Sequence, residues 1–128
     1  AILVPGEGNI GSIFHYINGR FDAHQRVYVI RQFDEKCSAK YLFYYMKENF
    51  GRHAMENSVK ATVDSLRLPT FVEFKVIKPV SLEEQVAVAN VLSDMDKDVA
   101  TLEQRLNKTE QLKQGMMQEL LTGRTRLV

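Results

Sequence analysis

The pattern of apolar and polar residues divides the chain near Pro79. Before this residue, apolar residues come in short runs interrupted by turn residues, which is typical of short strands and helices. After it, a single helical pattern continues almost to the last residue. The sequence therefore predicts an α+β protein with a domain of short strands and helices over 1–80, one long helix over 81–123, and a tail over 124–128.

The first part carries signals for four strands and one helix. The strands are predicted at 2–4, 10–17, 26–30 and 71–77. Asn18–Gly19 is a hairpin signal. Ser38 is suited to cap a helix that begins at Ala39, and Gly51 is expected to end it. Residues 52–70 have no clear period. The expected core includes Val27, Val29, Phe14, Tyr28, Tyr41, Phe43, Phe71 and Phe74.

The second part has the start, stop and period of a coiled-coil helix. Ser81 and Glu84 form a capping box, and Gly123 is a natural terminator after about Thr122. Such a helix is about 60 Å long, more than a domain of this size can cover. Its apolar residues recur at alternating spacings of four and three, the coiled-coil signature, with polar Thr109 and Lys113 in the same seam. The apolar seam expected to pair with a partner helix comprises Val88, Leu92, Met95, Val99, Leu102, Leu106, Met116 and Leu120.

Composition narrows the class of protein. The chain has 128 residues, 45% of them apolar, and a single cysteine, which rules out an internal disulfide framework and fits a reducing compartment. No apolar run approaches the roughly 20 residues that span a membrane. The net charge of +1 is unevenly distributed, because residues 1–80 carry three more basic than acidic residues and the remainder carries two more acidic than basic. The net charge alone argues neither for nor against a polyanionic partner, but its distribution favours the first part as the place where one would bind.

The sequence assigns no catalytic or metal-binding residue. Cys37 has no flanking signature that supports a thiol pair with a histidine, and three scattered histidines give no metal spacing. The glycines of 5–11 match neither a dinucleotide fingerprint nor a phosphate-binding loop, so a tight turn is expected. The aspartates at 94, 96 and 98 lie in the helical pattern and are expected on a solvated face. Adenine methyltransferases need a Pro-Pro motif, which this chain lacks.

Two polar segments contain donors and acceptors suited to base edges and phosphates. One is 52–67 and the other is the turn at 20–26. The same composition is typical of solvated surface loops, so the segments alone leave both interpretations open. The candidate DNA-binding residues are Arg20, His24, Arg52, His53, Asn57, Ser58, Lys60, Thr62 and Arg67.

Both halves resemble one family. The runs Pro79–Gln85 and Leu112–Arg124 resemble the start and the end of the conserved helical region of type I restriction-modification specificity subunits. Gly8–Gly11 and Ala23–Val27 resemble two elements of the target recognition domains of these subunits. The resemblance covers the C-terminal half of such a subunit: roughly the second half of one recognition domain, and one helix.

The resemblance implies a function and a set of partners. Members of this family are non-catalytic: they read a split site on double-stranded DNA and pair their long helices antiparallel. They position methyltransferase subunits and motor-nuclease restriction subunits, which carry S-adenosylmethionine and ATP, so no cofactor is expected in this chain. The resemblance also implies a prokaryotic, cytoplasmic protein. The apolar seam, which one small domain cannot cover, predicts that the isolated chain self-associates through its helix. The alternative is a coiled-coil assembly adaptor whose globular part binds protein rather than DNA.

Overall fold

The structure is a computed structural model that describes residues 1–8, 10–57 and 65–128, with the Asn57 side chain left out of the description. Three strands and three helices occur in this part of the chain. The strands are β1 (Ile2–Pro5), β2 (His15–Tyr16) and β3 (Val27–Ile30). The helices are α1 (Ala39–Asn57), α2 (Leu68–Glu73) and α3 (Leu82–Leu121). The predicted α+β class and the long terminal helix are confirmed.

The sheet is small and antiparallel, in the order β2-β1-β3. Leu3 is paired with His15 on one side and with Val29 on the other. The strands that flank Asn18–Gly19 are therefore not neighbours, and the predicted hairpin is wrong. The predicted strand 10–17 is also wrong in extent, since only His15–Tyr16 pairs with β1. Asn18–Gly19 indicates only a local change of chain direction. Strand β1 lies between β2 and β3 and pairs with both, so β2 and β3 are not paired with each other.

The core lies between one face of the sheet and helix α1. Ile2 and Val4 alternate along β1 and are completely buried, and they meet Met46, Phe50 and Ala54, which recur every four residues on α1. Ile10, Phe14 and Leu66 complete this cluster. Of the expected core residues, Phe14 is buried, whereas Val29 is 36% exposed on the opposite face of the sheet.

Helix α1 continues through Gly51, contrary to the prediction that this residue ends it. A Cβ built on Gly51 would lie 2.7 Å from the carbonyl oxygen of Gly11, and one on Gly11 would lie 2.7 Å from the Cα of Gly51. Glycine is therefore required at residue 51 because two backbones touch, not because the chain must turn, whereas Gly11 also has a φ of 72°. The start of α1 agrees with prediction, since the Ser38 hydroxyl accepts a hydrogen bond from the Tyr41 N–H at 3.3 Å.

The predicted strand 71–77 is wrong. Residues 71–73 belong to helix α2, which has a proline in its first turn and follows an extended Arg67. Helical spacing brings Phe71 and Phe74 onto the same partner, because their ring centroids lie 4.9 and 5.1 Å from that of Phe50. Burial against this ring outweighs the weak alternation that favoured a strand.

Contacts divide the described residues into two compact units, Ala1–Asn90 and Val91–Val128. In the first unit, helix α3 begins with the Ser81 hydroxyl accepting a hydrogen bond from the Glu84 N–H at 3.4 Å. In the second unit, the helix ends just before Gly123, whose φ is 75°, as predicted. No helix in the described ranges is both long and apolar enough to span a membrane.

Candidate nucleic-acid interface

Three backbone segments that are distant in the sequence meet around Gly6. The Gly6 N–H donates to the Arg26 carbonyl at 2.8 Å, and the Gly6 carbonyl accepts from the Leu66 N–H at 2.8 Å. The Tyr28 hydroxyl adds a 2.9 Å bond to the Leu66 carbonyl. A Cβ on Gly6 would lie 2.9 Å from the Arg26 carbonyl oxygen, so this close approach requires glycine.

These contacts build an open groove of about 370 Å³, called the Gly6 groove here. It joins residues from both polar segments singled out in the sequence. Its lining residues are Gly6, Glu7, Gln25, Arg26, Val27, Tyr28, Ser65 and Leu66. The groove therefore gives the two predicted DNA-binding segments a common surface.

The charge in this groove is locally balanced. The Arg26 guanidinium donates to the Glu7 carboxylate at 2.8 Å, and both side chains are largely exposed, at 69% and 46%. The pair therefore contributes little to stability. It leaves the remaining N–H groups of Arg26 facing solvent, in the fixed fork that suits a guanine edge. No local signal in the sequence connects Glu7 to Arg26, so Glu7 was not among the predicted site residues.

The turn that precedes β3 is held by local hydrogen bonds. The Val27 N–H donates to the His24 carbonyl at 3.1 Å, and the Arg26 N–H donates to the His24 ring at 3.4 Å. The Ala23 N–H donates to the Asp22 carboxylate at 3.0 Å. His24 is exposed and lies beside the groove, at the residue preceding Gln25. Its predicted contact with DNA stays a prediction.

The remaining predicted DNA-binding residues are distributed over several elements. Arg67 directly follows Leu66 of the groove and is exposed, and Arg20 is exposed in the loop before β3. Arg52 is exposed on α1, and no described residue forms an ion pair with it. Asn57 is the last residue of α1. Ser58, Lys60 and Thr62 lie outside the described residues.

His53 already takes part in packing. Its Nε2 lies 2.8 Å from the Thr70 carbonyl oxygen, and its ring centroid lies 5.3 Å from that of Phe74 and 6.0 Å from that of Phe50. The half-buried imidazole ties α1 to α2. A contact with DNA would therefore involve only the part of this ring that stays exposed.

A second polar cluster joins the start of α3 to the rest of the first unit. The amide of Gln85 is completely buried, and its Oε1 accepts from the Ser38 N–H at 2.9 Å. Its Nε2 donates to the carbonyls of Pro79 at 2.8 Å and Lys36 at 3.1 Å. Nearby, the Tyr41 hydroxyl donates to the Ile77 carbonyl at 2.9 Å. Burial, with the neighbouring Tyr45 and Glu84, raises the pKa of the Tyr41 phenol, so it remains a neutral donor at physiological pH.

The apolar seam of α3 lies at the surface of the chain. Val88, Met95, Val99, Leu102, Leu106 and Met116 are between 38% and 62% exposed, and Leu92 and Leu120 are partly buried. Exposed apolar residues normally occur singly on a protein surface. A continuous row of them is typical of a face that binds a partner.

The described residues hold no group of three or more histidine, cysteine, aspartate or glutamate side chains placed to bind a metal ion. Cys37 is partly buried beside the start of α1, where its thiol lies 3.8 Å from the Ser38 carbonyl oxygen. The geometry found is that of a binding surface: a backbone-built groove, exposed arginines and an apolar seam on a long helix.

A long helix with an exposed apolar seam, which follows a domain with exposed arginines along the chain, is typical of a binding module within a larger assembly. The family model for the type I restriction modification DNA specificity domain matches residues 1–113. The chain belongs to this family, and its role is DNA specificity in type I restriction-modification. The family is generally non-catalytic and works through DNA binding and assembly with other subunits. No solved structure matches the chain.

Proposed function

We propose that this chain reads one part of a split DNA site and positions the methyltransferase and restriction subunits of its complex on that site. The observation that supports this most directly is the Gly6 groove, in which both polar segments of the sequence meet. Base reading needs side chains held in a fixed register, and two backbone hydrogen bonds of Gly6, together with the bond from the Tyr28 hydroxyl to Leu66, support that register.

The chemistry of the complex resides on other chains in this proposal. The methyltransferase subunits hold S-adenosylmethionine, the restriction subunits hold ATP, and the chain described here holds neither. Helix α3 serves as a spacer that pairs with a second helix through the apolar seam. The assembly acts on double-stranded DNA in the cytoplasm of a prokaryotic cell.

The test uses the chain assembled with its methyltransferase subunits and a pool of randomised duplexes. We expect repeated binding and amplification to enrich one defined sequence, and the affinity for it to fall steeply with salt as phosphate contacts release counterions. A complex that enriches no sequence would contradict the proposal.

A second candidate, a coiled-coil assembly adaptor, is favoured by the exposed apolar seam. Its globular part would bind protein rather than DNA. The two functions differ in salt dependence, because an adaptor that binds through apolar surface has no counterions to release. If the same complex assembles equally well at every salt concentration and does not bind DNA, the chain acts as an adaptor.

A further inference from the structure

A second concave surface lies on the opposite side of β3 from the core. Tyr28 and Ile30 pack toward the core cluster, so the alternation along the strand directs Val29 and the following Arg31 to the other face. Residues of the preceding loop face them across an open hollow of about 690 Å³, called the β3 hollow here. Its lining residues are Gly19, Arg20, Phe21, Ala23, Val29 and Arg31.

The β3 hollow combines positive charge with exposed apolar surface. Arg20 and Arg31 are exposed, and neither forms an ion pair or hydrogen bond with any residue in the described ranges. Phe21 and Val29 are 38% and 36% exposed. No acidic residue lines the hollow, so its charge is uncompensated there, unlike that of Arg26, which Glu7 neutralises.

The backbone after β3 departs from ordinary conformations at this point. Gln32, directly after Arg31, has a φ of 60°, a left-handed conformation that residues other than glycine rarely adopt. It ends the strand abruptly and leaves Arg31 at the rim of the hollow. Strained backbone of this kind is concentrated at functional sites.

We infer that the β3 hollow holds the sugar–phosphate backbone of one DNA strand, with Arg20 and Arg31 on phosphate oxygens and Phe21 and Val29 against the deoxyribose. This inference rests on the proposed DNA-recognition function. A free guanidinium is drawn to a phosphate, whereas the neutralised Arg26 gains less from one and is better suited to a base edge. The hollow therefore positions the chain on DNA, and the Gly6 groove reads the sequence.

The first test measures salt dependence with the complex of chain and methyltransferase subunits on its selected duplex. We expect Arg31→Ala and Arg20→Ala each to reduce the slope of log affinity against log salt by about 0.9, so affinity falls about 3.5-fold less between 50 and 200 mM salt. The preference for the selected over a scrambled duplex should not change. Lys47→Ala is the matched control, because Lys47 is an exposed cation on α1 that lies over the Phe43 ring. Slopes that match the control for both arginine variants would overturn the inference.

The second test identifies the phosphate. Single phosphates of the selected duplex are replaced, one at a time, by neutral methylphosphonates. At the contacted phosphate, replacement should weaken binding by the unaltered complex and have no further effect on the Arg31→Ala complex. If every replacement weakens both complexes equally, Arg31 contacts no phosphate and an acidic protein segment is the better occupant. Enrichment of no sequence by the unaltered complex would instead contradict the proposed function itself.

Discussion

At the scale of the residue, Gln85 shows how one buried amide organises a junction between elements. Its three hydrogen bonds reach the backbone of Lys36, Ser38 and Pro79. A buried polar side chain is tolerated only when its bonds are satisfied, and here all of them are. This residue lies in the run that resembles the family's helix start, so the motif has a structural basis.

We predict that Gln85→Leu lowers the free energy of unfolding by about 2–3 kcal/mol, since each unsatisfied buried polar group costs about 1–3 kcal/mol and solvent relieves part of the loss. Urea denaturation measures the change. The matched control is Gln104→Leu, the same substitution at an exposed position of α3, with an expected effect within about 0.5 kcal/mol. Equal effects at the two positions would show that the Gln85 bonds contribute nothing.

The sequence predicted residues whose roles are local and failed for those whose roles depend on distant contacts. Ser38, Ser81 and Gly123 act within a few residues of themselves, and all three behave as predicted. Gly51 is of the residue type that commonly ends a helix, but glycine is required there because the backbone of Gly11, forty residues away, packs against it. The ion pair between Glu7 and Arg26 likewise cannot be predicted from the sequence without the fold.

At the scale of the element, helix α3 was predictable because its signals repeat over many turns. A capping residue, a seam with a period of 3.5 and a terminal glycine all agree. Residues 71–77 offered only a short alternation, and packing against Phe50 made their first turn helical. Short apolar runs do not distinguish a strand from a helix when one aromatic contact decides the outcome.

We predict that the isolated chain forms a homodimer through the apolar seam, and that Leu102→Asp makes it monomeric or insoluble. Leu102 is 62% exposed at the centre of the seam, and a buried unpaired carboxylate in a coiled coil is strongly unfavourable. Sedimentation velocity measures the mass. The control Gln104→Asp adds the same charge outside the seam and should stay dimeric. A well-behaved monomer for the unaltered chain would contradict the prediction.

The charge distribution along the helix favours antiparallel pairing in that dimer. Residues 82–104 of the helix carry six acidic side chains and one lysine, whereas residues 105–121 carry three basic and two acidic side chains and are followed by Arg124 and Arg126 in the tail. Two antiparallel copies place the acidic part of each beside the basic part of the other. With Cys37 replaced by serine, chains carrying Leu92→Cys and Met116→Cys should then cross-link with each other. Cross-links only between identical chains would indicate parallel helices.

At the scale of the whole molecule, the class of protein was predictable and the site only in part. The helix-end motif identified the family, and the family match over residues 1–113 confirms it. The contact of the two polar segments with DNA stays a prediction, and Gly6, whose backbone joins them, was interpreted only as a turn residue. Arg31 was not selected either, because a strand-end arginine carries no signal until the opposing loop is placed.

We predict that the purified chain alone transfers no methyl group to DNA. The reason is that its family works as a recognition module and that its sequence lacks the motif of an adenine methyltransferase. Incubation with labelled S-adenosylmethionine and DNA should give label in the DNA only after methyltransferase subunits are added. Label transferred by the chain alone would show that it is an enzyme.

The last prediction concerns the segment from Arg52 to Arg67. Arg52 and Arg67 are exposed, and Arg67 directly follows the Gly6 groove, while Lys60 lies outside the described residues. We expect alanine at each of the three to weaken binding by the assembled complex, in one of two distinguishable ways. A lost phosphate contact weakens all sequences equally and reduces the salt slope by roughly one unit. A lost base contact costs about 1–3 kcal/mol and relaxes the preference at one position of the site.

Titrations on selected and scrambled duplexes at several salt concentrations separate the two effects, with Lys47→Ala as the control. If all three variants keep the affinity, the specificity and the salt slope of the unaltered chain, these three side chains are solvated, and DNA is held by the Gly6 groove and the β3 hollow without them.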